Sequence, residues 1–208
     1  MEEILTVYER PYDFKNPLIC LDEATKQLVK EIKVPIPPQR SQPERVDYEY
    51  ERNGTANLFM LCEPIVGARY VEVTQRRTAV DYAHLLKRLV DVFYPDACKI
   101  TLVQDNLNIH SPSSLYKAFA PEEARRILSR LEFFYTPKHG SWLNMAEIEL
   151  SILSRQCLDQ RIPDFQTLQK HVSAWNEHRN QKGTWIDWRF TMQDARVKLH
   201  RLYPSIYI

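Results

Sequence analysis

Short apolar runs of four to six residues recur along the chain, with polar or turn-forming segments between them. Runs of this length between turn signals predict strands of a sheet. Gly67 separates the second run from the third, which predicts an antiparallel hairpin. The five predicted strands are residues 18–21, 57–62, 70–74, 100–103 and 131–135.

Apolar residues at helical spacing follow several of these runs. Thr78 with Asp81 fits a capping pattern, and the helix after it is predicted to end before Pro95. Further helices are predicted after Ser111, from Pro121, between Leu143 and Leu153, and after Asp164. The order of elements predicts an α/β fold, with a mixed five-stranded sheet flanked by helices.

Residues 33–57 are the least regular stretch, because four prolines exclude a helix or a central strand. Asn53–Gly54 within it is a turn signal. We interpret the stretch as an extended segment and loop inside one domain. The predicted organisation is an N-terminal extension (residues 1–16), one domain (residues 17–200) and a C-terminal tail (residues 201–208).

The composition is that of a soluble globular protein, with 44% apolar and 26% charged residues among 208. No apolar run is long enough to span a membrane, and the acidic N-terminus does not match a signal peptide. Four dispersed cysteines without a Cys-x-x-Cys pair are typical of free thiols in a reducing compartment. We therefore expect a cytoplasmic protein without membrane association. The net charge of +1 does not by itself indicate a nucleic-acid partner.

Two aspartates follow predicted strands. Asp22 comes directly after the first strand, and Asp105 follows the fourth strand after one intervening residue. Ligands and catalytic groups gather at the carboxyl ends of strands in α/β sheets. Carboxylates there can hold a hard cation such as Mg²⁺ or Mn²⁺. Aspartates also end strands because they favour turns, so both interpretations stay open.

Glu147 and Glu149, on the helix predicted between Leu143 and Leu153, are candidates for a third acid. Residues two apart lie about 200° apart around a helix axis, so only one of them can face such a site. Glu147 borders the apolar stripe, whereas Glu149 is predicted to face solvent and to be dispensable. A partly buried glutamate with a local partner is the alternative interpretation of Glu147.

The segments around these three acids resemble those of DDE transposases, most closely the mariner-like superfamily carried by bacterial insertion sequences. The resemblance covers nearly the whole chain and implies an RNase H-like fold. It also implies that Asp22, Asp105 and Glu147 are the catalytic acids and the metal ligands. The similar segments are LICLDEA, LVQDNLNIH, TPKHGSWLNMAEIE, RVDYEYERNGTANLF (residues 45–59) and DARVKL (residues 194–199).

The chemistry implied by the resemblance is metal-dependent cleavage of DNA, followed by transfer of the cleaved strand to target DNA. Two Mg²⁺ or Mn²⁺ ions about 3.5–4 Å apart serve the attacking and leaving oxygens in such sites. Asp22 would bridge the ions, with Asp105 and Glu147 each favouring one of them. The implied partners are element ends and target DNA, bound by a dimer in the bacterial cytosol or nucleoid.

Full-length members of this family carry an N-terminal helix-turn-helix region that reads the element ends. Only 17 residues precede the first predicted strand here. We therefore expect that region to be missing or separate, and the isolated chain to be a monomer. The apolar tail Tyr203–Ile208 is predicted to fold back on its own domain.

Five further residues are candidates for secondary roles. Lys138 and Arg155 are expected to contact DNA because they lie close to the helix that carries the third acid. Trp142 is expected to stack on a base or ribose, with core packing as an equal alternative. Asn106 and His110 are expected to steady metal-bound water or phosphate, although a structural hydrogen bond is the simpler interpretation of His110.

Two other functions remain possible from the sequence. One is an RNase H-like nuclease that cleaves without strand transfer, and the other is a truncated or domesticated relative that only binds DNA or a partner. The RNGTANLF and HGSWLN segments favour the transposase, and the presence of all three acids argues against decay.

Overall fold

The computed structural model describes residues 1–43, 45, 47–138 and 140–202. Its centre is a five-stranded sheet in the order β3-β2-β1-β4-β5. β1 pairs antiparallel with β2, and β2 with β3, whereas β4 runs parallel to both β1 and β5. The predicted mixed sheet is thus confirmed. The strands are β1 (Leu18–Glu31), β2 (Tyr50–Glu63), β3 (Ala68–Thr74), β4 (Ile100–Gln104) and β5 (Leu131–Tyr135).

Helices cover both faces of the sheet. They are α1 (Glu2–Tyr8), α2 (Ala79–Arg88), α3 (Leu115–Ala118), α4 (Pro121–Ser129), α5 (Ala146–Leu153), α6 (Phe165–Gln181) and α7 (Met192–Lys198). Alternation along β1 divides the core, with Ile19 and Leu21 on one face and Cys20 on the other. The first face packs against α2, α3 and α4, and the second against α1, α5, α6 and α7.

The predicted helix starts are confirmed where side-chain caps are present. Thr78 and Asp81 form a reciprocal capping box at the start of α2. Asp164 accepts a hydrogen bond from the Thr167 amide and caps α6. A π-helical turn, Leu89–Phe93, continues α2 and ends before Pro95, as the proline predicted.

Two details of the β1–β2 pair differ from the prediction. β1 continues to Glu31, so Asp22 lies inside a strand and not at its end. Asn53–Gly54 is not a turn, because it lies within β2 at a point where the pairing shifts register between Gln27 and Val29. Gly54 has a φ of +83°, which fits a glycine at a β-bulge. Pairing of β2 with β1 from Tyr50 onward thus replaces the last part of the expected loop.

The N-terminal residues belong to the same core as the sheet. Ile4, Leu5 and Val7 of α1 are fully buried among the residues beneath α5 and α7. No helix in the described ranges combines the length and hydrophobicity needed to cross a membrane. The tail Tyr203–Ile208, predicted to fold back, lies outside the described residues.

Gly67 in the turn between β2 and β3 is confined by its neighbours. Its φ is +76°, a conformation that side chains with a Cβ rarely adopt. A Cβ at this position would lie 2.5 Å from the carbonyl oxygen of Thr184. The turn and the segment after α6 therefore pack backbone to backbone.

We predict that Gly67→Ala lowers the free energy of unfolding by clearly more than Gly54→Ala does. Both substitutions force a Cβ into a left-handed backbone, which costs roughly 1–2 kcal/mol. Only Gly67→Ala adds a clash, because a Cβ at Gly54 meets nothing within 4 Å. Urea unfolding of the two variants measures the difference, and equal losses would contradict the close packing of the turn.

Candidate active site

The register of the parallel pair β1–β4 brings the first two candidate acids together. Cys20 pairs with Val103. Asp22 lies two residues beyond Cys20, and Asp105 lies two residues beyond Val103, so the two aspartates stand level at the carboxyl end of β4. β4 extends to Gln104, one residue further than predicted, so Asp105 directly follows it.

The third acid, Glu147, lies in the first turn of α5, and Asn144 ties the start of this helix to β1. The Asn144 side chain donates a hydrogen bond of 2.7 Å to the carbonyl of Leu21, next to Asp22. Its Oδ1 also accepts from the amide of Ala146 at 3.1 Å. The sequence reasoning missed Asn144, although a short polar residue just before a helix is a known capping signal.

The Asp22 carboxyl is mostly buried and lies within electrostatic reach of the other two acids. The pKa of the Asp22 carboxyl is raised to about 7, first because the group is largely removed from water. The negative charges of Glu23, Asp105 and Glu147 raise it further, while a hydrogen bond from the Glu23 amide opposes the shift. Within the described ranges, no three or more His, Cys, Asp or Glu side chains are arranged closely enough to hold a metal ion.

His110 fixes Asp105. Its Nδ1 lies 2.7 Å from Oδ1 of Asp105, and its Nε2 lies 3.1 Å from Oε2 of Glu23. Burial disfavours the imidazolium, but the hydrogen bonds to both carboxylates outweigh it and raise the pKa of His110 to about 9. The hydrogen bond from His110 in turn lowers the pKa of Asp105. His110 is thus a cation at neutral pH that orients a candidate ligand.

Glu23 and Arg77 are site residues that the sequence reasoning did not select. Glu23 is buried and pairs with His110, and also with Arg77 at 3.3 Å. The charge of Arg77 contributes to the lowered pKa of Asp105. Local pattern gave no signal for Glu23, because its two partners lie on other elements.

The remaining candidates lie around the acids in different settings. Lys138 is exposed and lines an open cleft of about 630 Å³ together with Asp105 and Asn106. The side-chain amide of Asn106 donates to the carbonyl of Thr136, which links the loops after β4 and β5.

Trp142 and Arg155 are both available at the surface near α5. Trp142 is 44% exposed, and its ring meets that of Phe190 edge to face at 5.4 Å. It is therefore neither a core residue nor a free one. Arg155 is exposed, and its Nε donates to the carbonyl of Ser151, one turn earlier in the chain.

Glu149 is not at the surface, and this part of the prediction is wrong. Its side chain is 0% exposed and pairs with Arg69 of β3 and with Arg179 of α6. Burial raises the pKa of its carboxyl, but the two guanidinium groups outweigh this and lower it overall. The prediction failed because α6 and β3 cover the face of α5 that would otherwise meet water.

Residues 17–169 match the sequence profile of a family described as DDE superfamily endonuclease. No curated protein matches the chain at a significant level. The Mos1 mariner paired end complex with Mn is similar with a TM-score of 0.58 and 16% identity, over 85% of this chain and 52% of that chain. This chain thus spans about half the length of that relative.

Two other solved structures are similar. The catalytic domain of Mos1 mariner transposase has a TM-score of 0.57 at 13% identity, over 85% of this chain and 76% of that chain. The simian T-cell lymphotropic virus intasome in complex with the PP2A regulatory subunit B56 gamma has a TM-score of 0.51 at 12% identity, over 96% and 59%. At these identities the similarity concerns the fold, and it confirms the RNase H-like architecture.

The raised pKa of Asp22 predicts how pH affects the metal-free protein. Between its ordinary value of 3.8 and about 7, the folded state keeps a proton that the unfolded chain has released. This contribution to stability is present at low pH and is lost as pH rises through 7. Asp22→Asn should therefore raise the free energy of unfolding at pH 8 by about 1 kcal/mol or more, with a smaller gain at pH 5.

Thermal melting in EDTA at both pH values checks this prediction. Asp96→Asn is the matched control, because Asp96 is exposed in the turn before β4, at the opposite end of that strand from Asp105. A loss of stability in Asp22→Asn at pH 8 would show that the Asp22 carboxylate is well compensated in the folded protein.

Proposed function

This chain belongs to the DDE superfamily of endonucleases, and from that premise we propose that it is a transposase catalytic domain that cleaves DNA strands and transfers them to target DNA. The observation that carries the proposal is the parallel register that sets Asp22 level with Asp105 on adjacent strands. Asn144 ties the start of the helix that carries Glu147 to β1. After burial, the negative charges of Asp105 and Glu147 add to the raised pKa of Asp22, which supports a shared site.

The donor set fits a divalent metal. Carboxylate oxygens are the ligands that Mg²⁺ and Mn²⁺ prefer, and the mostly buried Asp22 carboxyl feels the negative charges of Glu23, Asp105 and Glu147. Solved mariner complexes with Mn and with Mg are structurally similar to this chain. We propose that Asp22, Asp105 and Glu147 hold two such ions. Bound divalent ions lower the pKa of a water or hydroxyl nucleophile and neutralise charge on a phosphodiester.

The protein residues themselves orient the ligands and supply charge. Oδ1 of Asp105 takes the hydrogen bonds from His110 and from the Leu107 amide, which leaves Oδ2 for a cation. The Asp22 carboxyl, with its pKa near 7, gives up a proton readily when positive charge arrives. A covalent protein intermediate is not required, because the nucleophile is water or a DNA hydroxyl.

DNA would approach over the cleft beside Asp105. Lys138 lines this cleft, and Trp142 and Arg155 are exposed near α5. One of the similar structures is a paired end complex and another is a strand transfer complex. We propose element ends and target DNA as partners, a dimer on DNA, and a monomer in its absence. Recognition of the ends would fall to a separate or additional helix-turn-helix portion.

Asp105→Asn is predicted to abolish Mg²⁺- or Mn²⁺-dependent nicking of supercoiled DNA, because it removes a ligand charge that the site needs. Asp96→Asn should nick like the unmodified chain. Full nicking activity in Asp105→Asn would refute the assignment of the acids. A joined product between a labelled 3′-end and a target plasmid distinguishes a transposase from a nuclease that only cleaves.

We predict that the chain binds DNA weakly and without sequence preference, with an affinity that falls steeply as salt increases. The net charge is +1, so binding depends on local phosphate contacts by the exposed basic residues. Gel-shift titrations at several salt concentrations measure this. Tight and sequence-selective binding at physiological salt would contradict it.

A further inference from the structure

We infer that Arg69, Glu149 and Arg179 position Glu147 by fixing the rotation of α5 about its own axis. These three residues are called the Glu149 cluster below. The inference rests on the proposed function, since it takes Glu147 as a metal ligand. None of the three residues belongs to the proposed ligand set, so they act on the site through the helix.

Two guanidinium groups hold the Glu149 carboxylate, Arg179 through two hydrogen bonds and Arg69 through one hydrogen bond and one close ion-pair contact. From β3, Nη2 of Arg69 donates to Oε1 at 2.8 Å, and its Nε lies 2.6 Å from Oε2. From α6, Nη2 and Nε of Arg179 donate to Oε1 and Oε2 at 3.1 and 3.2 Å. Glu149 and Arg69 are 0% and 1% exposed. Paired contacts of this kind fix orientation as well as distance.

The frame that holds the cluster is itself rigidly connected. Arg69 donates further hydrogen bonds to the carbonyls of Gly67 and Thr184. The side chain of Asn180 bonds both the amide and the carbonyl of Arg69, at 2.9 and 2.8 Å. The β2–β3 turn, the end of α6 and the segment after it thus form one support beside α5.

Because Glu147 and Glu149 lie on the same helix, fixing Glu149 also restricts the position of Glu147. Glu147 and Glu149 lie about 200° apart around the axis, so any rotation that moves one moves the other by the same angle. Helix side chains reach about 5–6 Å from the axis. A rotation of about 20° would therefore shift the Glu147 carboxylate by about 2 Å, whereas metal–ligand distances tolerate only about 0.2 Å. Asn144 fixes the start of α5 along β1, and the Glu149 cluster fixes its rotation.

A purely stabilising role is a poor account of the cluster. Burying one carboxylate and two guanidinium groups carries a large desolvation penalty, and such networks often add little to net stability. The contacts of Arg69 and Arg179 with Glu149, made from opposite sides, do fix a single orientation of α5. The orientation of α5 is what aims Glu147.

The decisive variant is Arg179→Lys in the full chain, because it keeps the charge and removes the fork. A change in Mn²⁺ affinity then cannot be ascribed to a changed net charge. Arg69→Lys is the second variant. Arg69 is the more buried of the two arginines, so if Arg69→Lys does not fold, the test is made with Arg179→Lys alone. Arg126→Lys is the matched control, since Arg126 forks onto Asp91 at 2.8 Å on the exposed side of α4.

The affinity of the DNA-free protein for Mn²⁺ is measured from the electron paramagnetic resonance signal of free Mn²⁺. The titration is done at a temperature where circular dichroism shows that each variant is folded. Arg179→Lys should weaken binding about tenfold or more, as outer-shell substitutions do. Arg126→Lys should stay within about twofold of the unmodified chain. Hydrogen exchange of the α5 amides should be faster in Arg179→Lys than in the unmodified chain, and unchanged in Arg126→Lys.

Glu147→Gln distinguishes a failure of the proposed ligand set from a failure of the inference about the Glu149 cluster. If it leaves Mn²⁺ affinity unchanged, the proposed ligand set fails, whatever the cluster does. If it weakens binding while Arg179→Lys lowers the melting temperature but binds Mn²⁺ normally, the cluster is only structural and the inference is overturned.

Discussion

Parallel pairing of β1 with β4, with Cys20 opposite Val103, sets Asp22 and Asp105 level at the carboxyl end of β4. Burial raises the pKa of Asp22, and the nearby negative charges of Glu23, Asp105 and Glu147 raise it further. The pairing persists because both faces of these strands are buried in continuous apolar layers. Hydrophobic burial of β1 and β4 thus holds the carboxylates of Asp22 and Asp105 close together in spite of their repulsion. A divalent cation bound there would offset the negative charges of these carboxylates.

Each proposed ligand has its own means of support. Asp22 is held by a central strand that pairs on both sides. Asp105 is held by His110, which also pairs with Glu23 behind it. Glu147 is held through its helix, whose start is tied to β1 and whose opposite side is gripped by two arginines. Two buried ionic networks therefore flank the acids, one behind Asp105 and one behind α5.

Local signals predicted most of the fold. Short apolar runs identified all five strands, and capping residues such as Thr78 and Asp164 identified helix starts. The length of β1 and the bulge at Asn53–Gly54 were missed, because their cause is pairing with another strand. The burial of Glu149 was missed for a similar reason. Its partners lie 80 and 30 residues away, so a helical projection of one segment cannot show them.

The candidate site divides in the same way. Motif resemblance selected Asp22, Asp105 and Glu147, and the fold brings their elements to one place. The supporting residues Asn144, Glu23 and Arg69 came only from three-dimensional contacts. The roles of Lys138 and Arg155 toward DNA stay predictions, as do the dimer and the number of ions.

Anomalous diffraction from crystals of the full chain soaked in Mn²⁺ would show directly whether metal binds among the three acids. We expect anomalous density in contact with the carboxylates of Asp22, Asp105 and Glu147, with Glu149 still held between Arg69 and Arg179. Mn²⁺ bound elsewhere on the protein, with no anomalous density among these three acids, would contradict it.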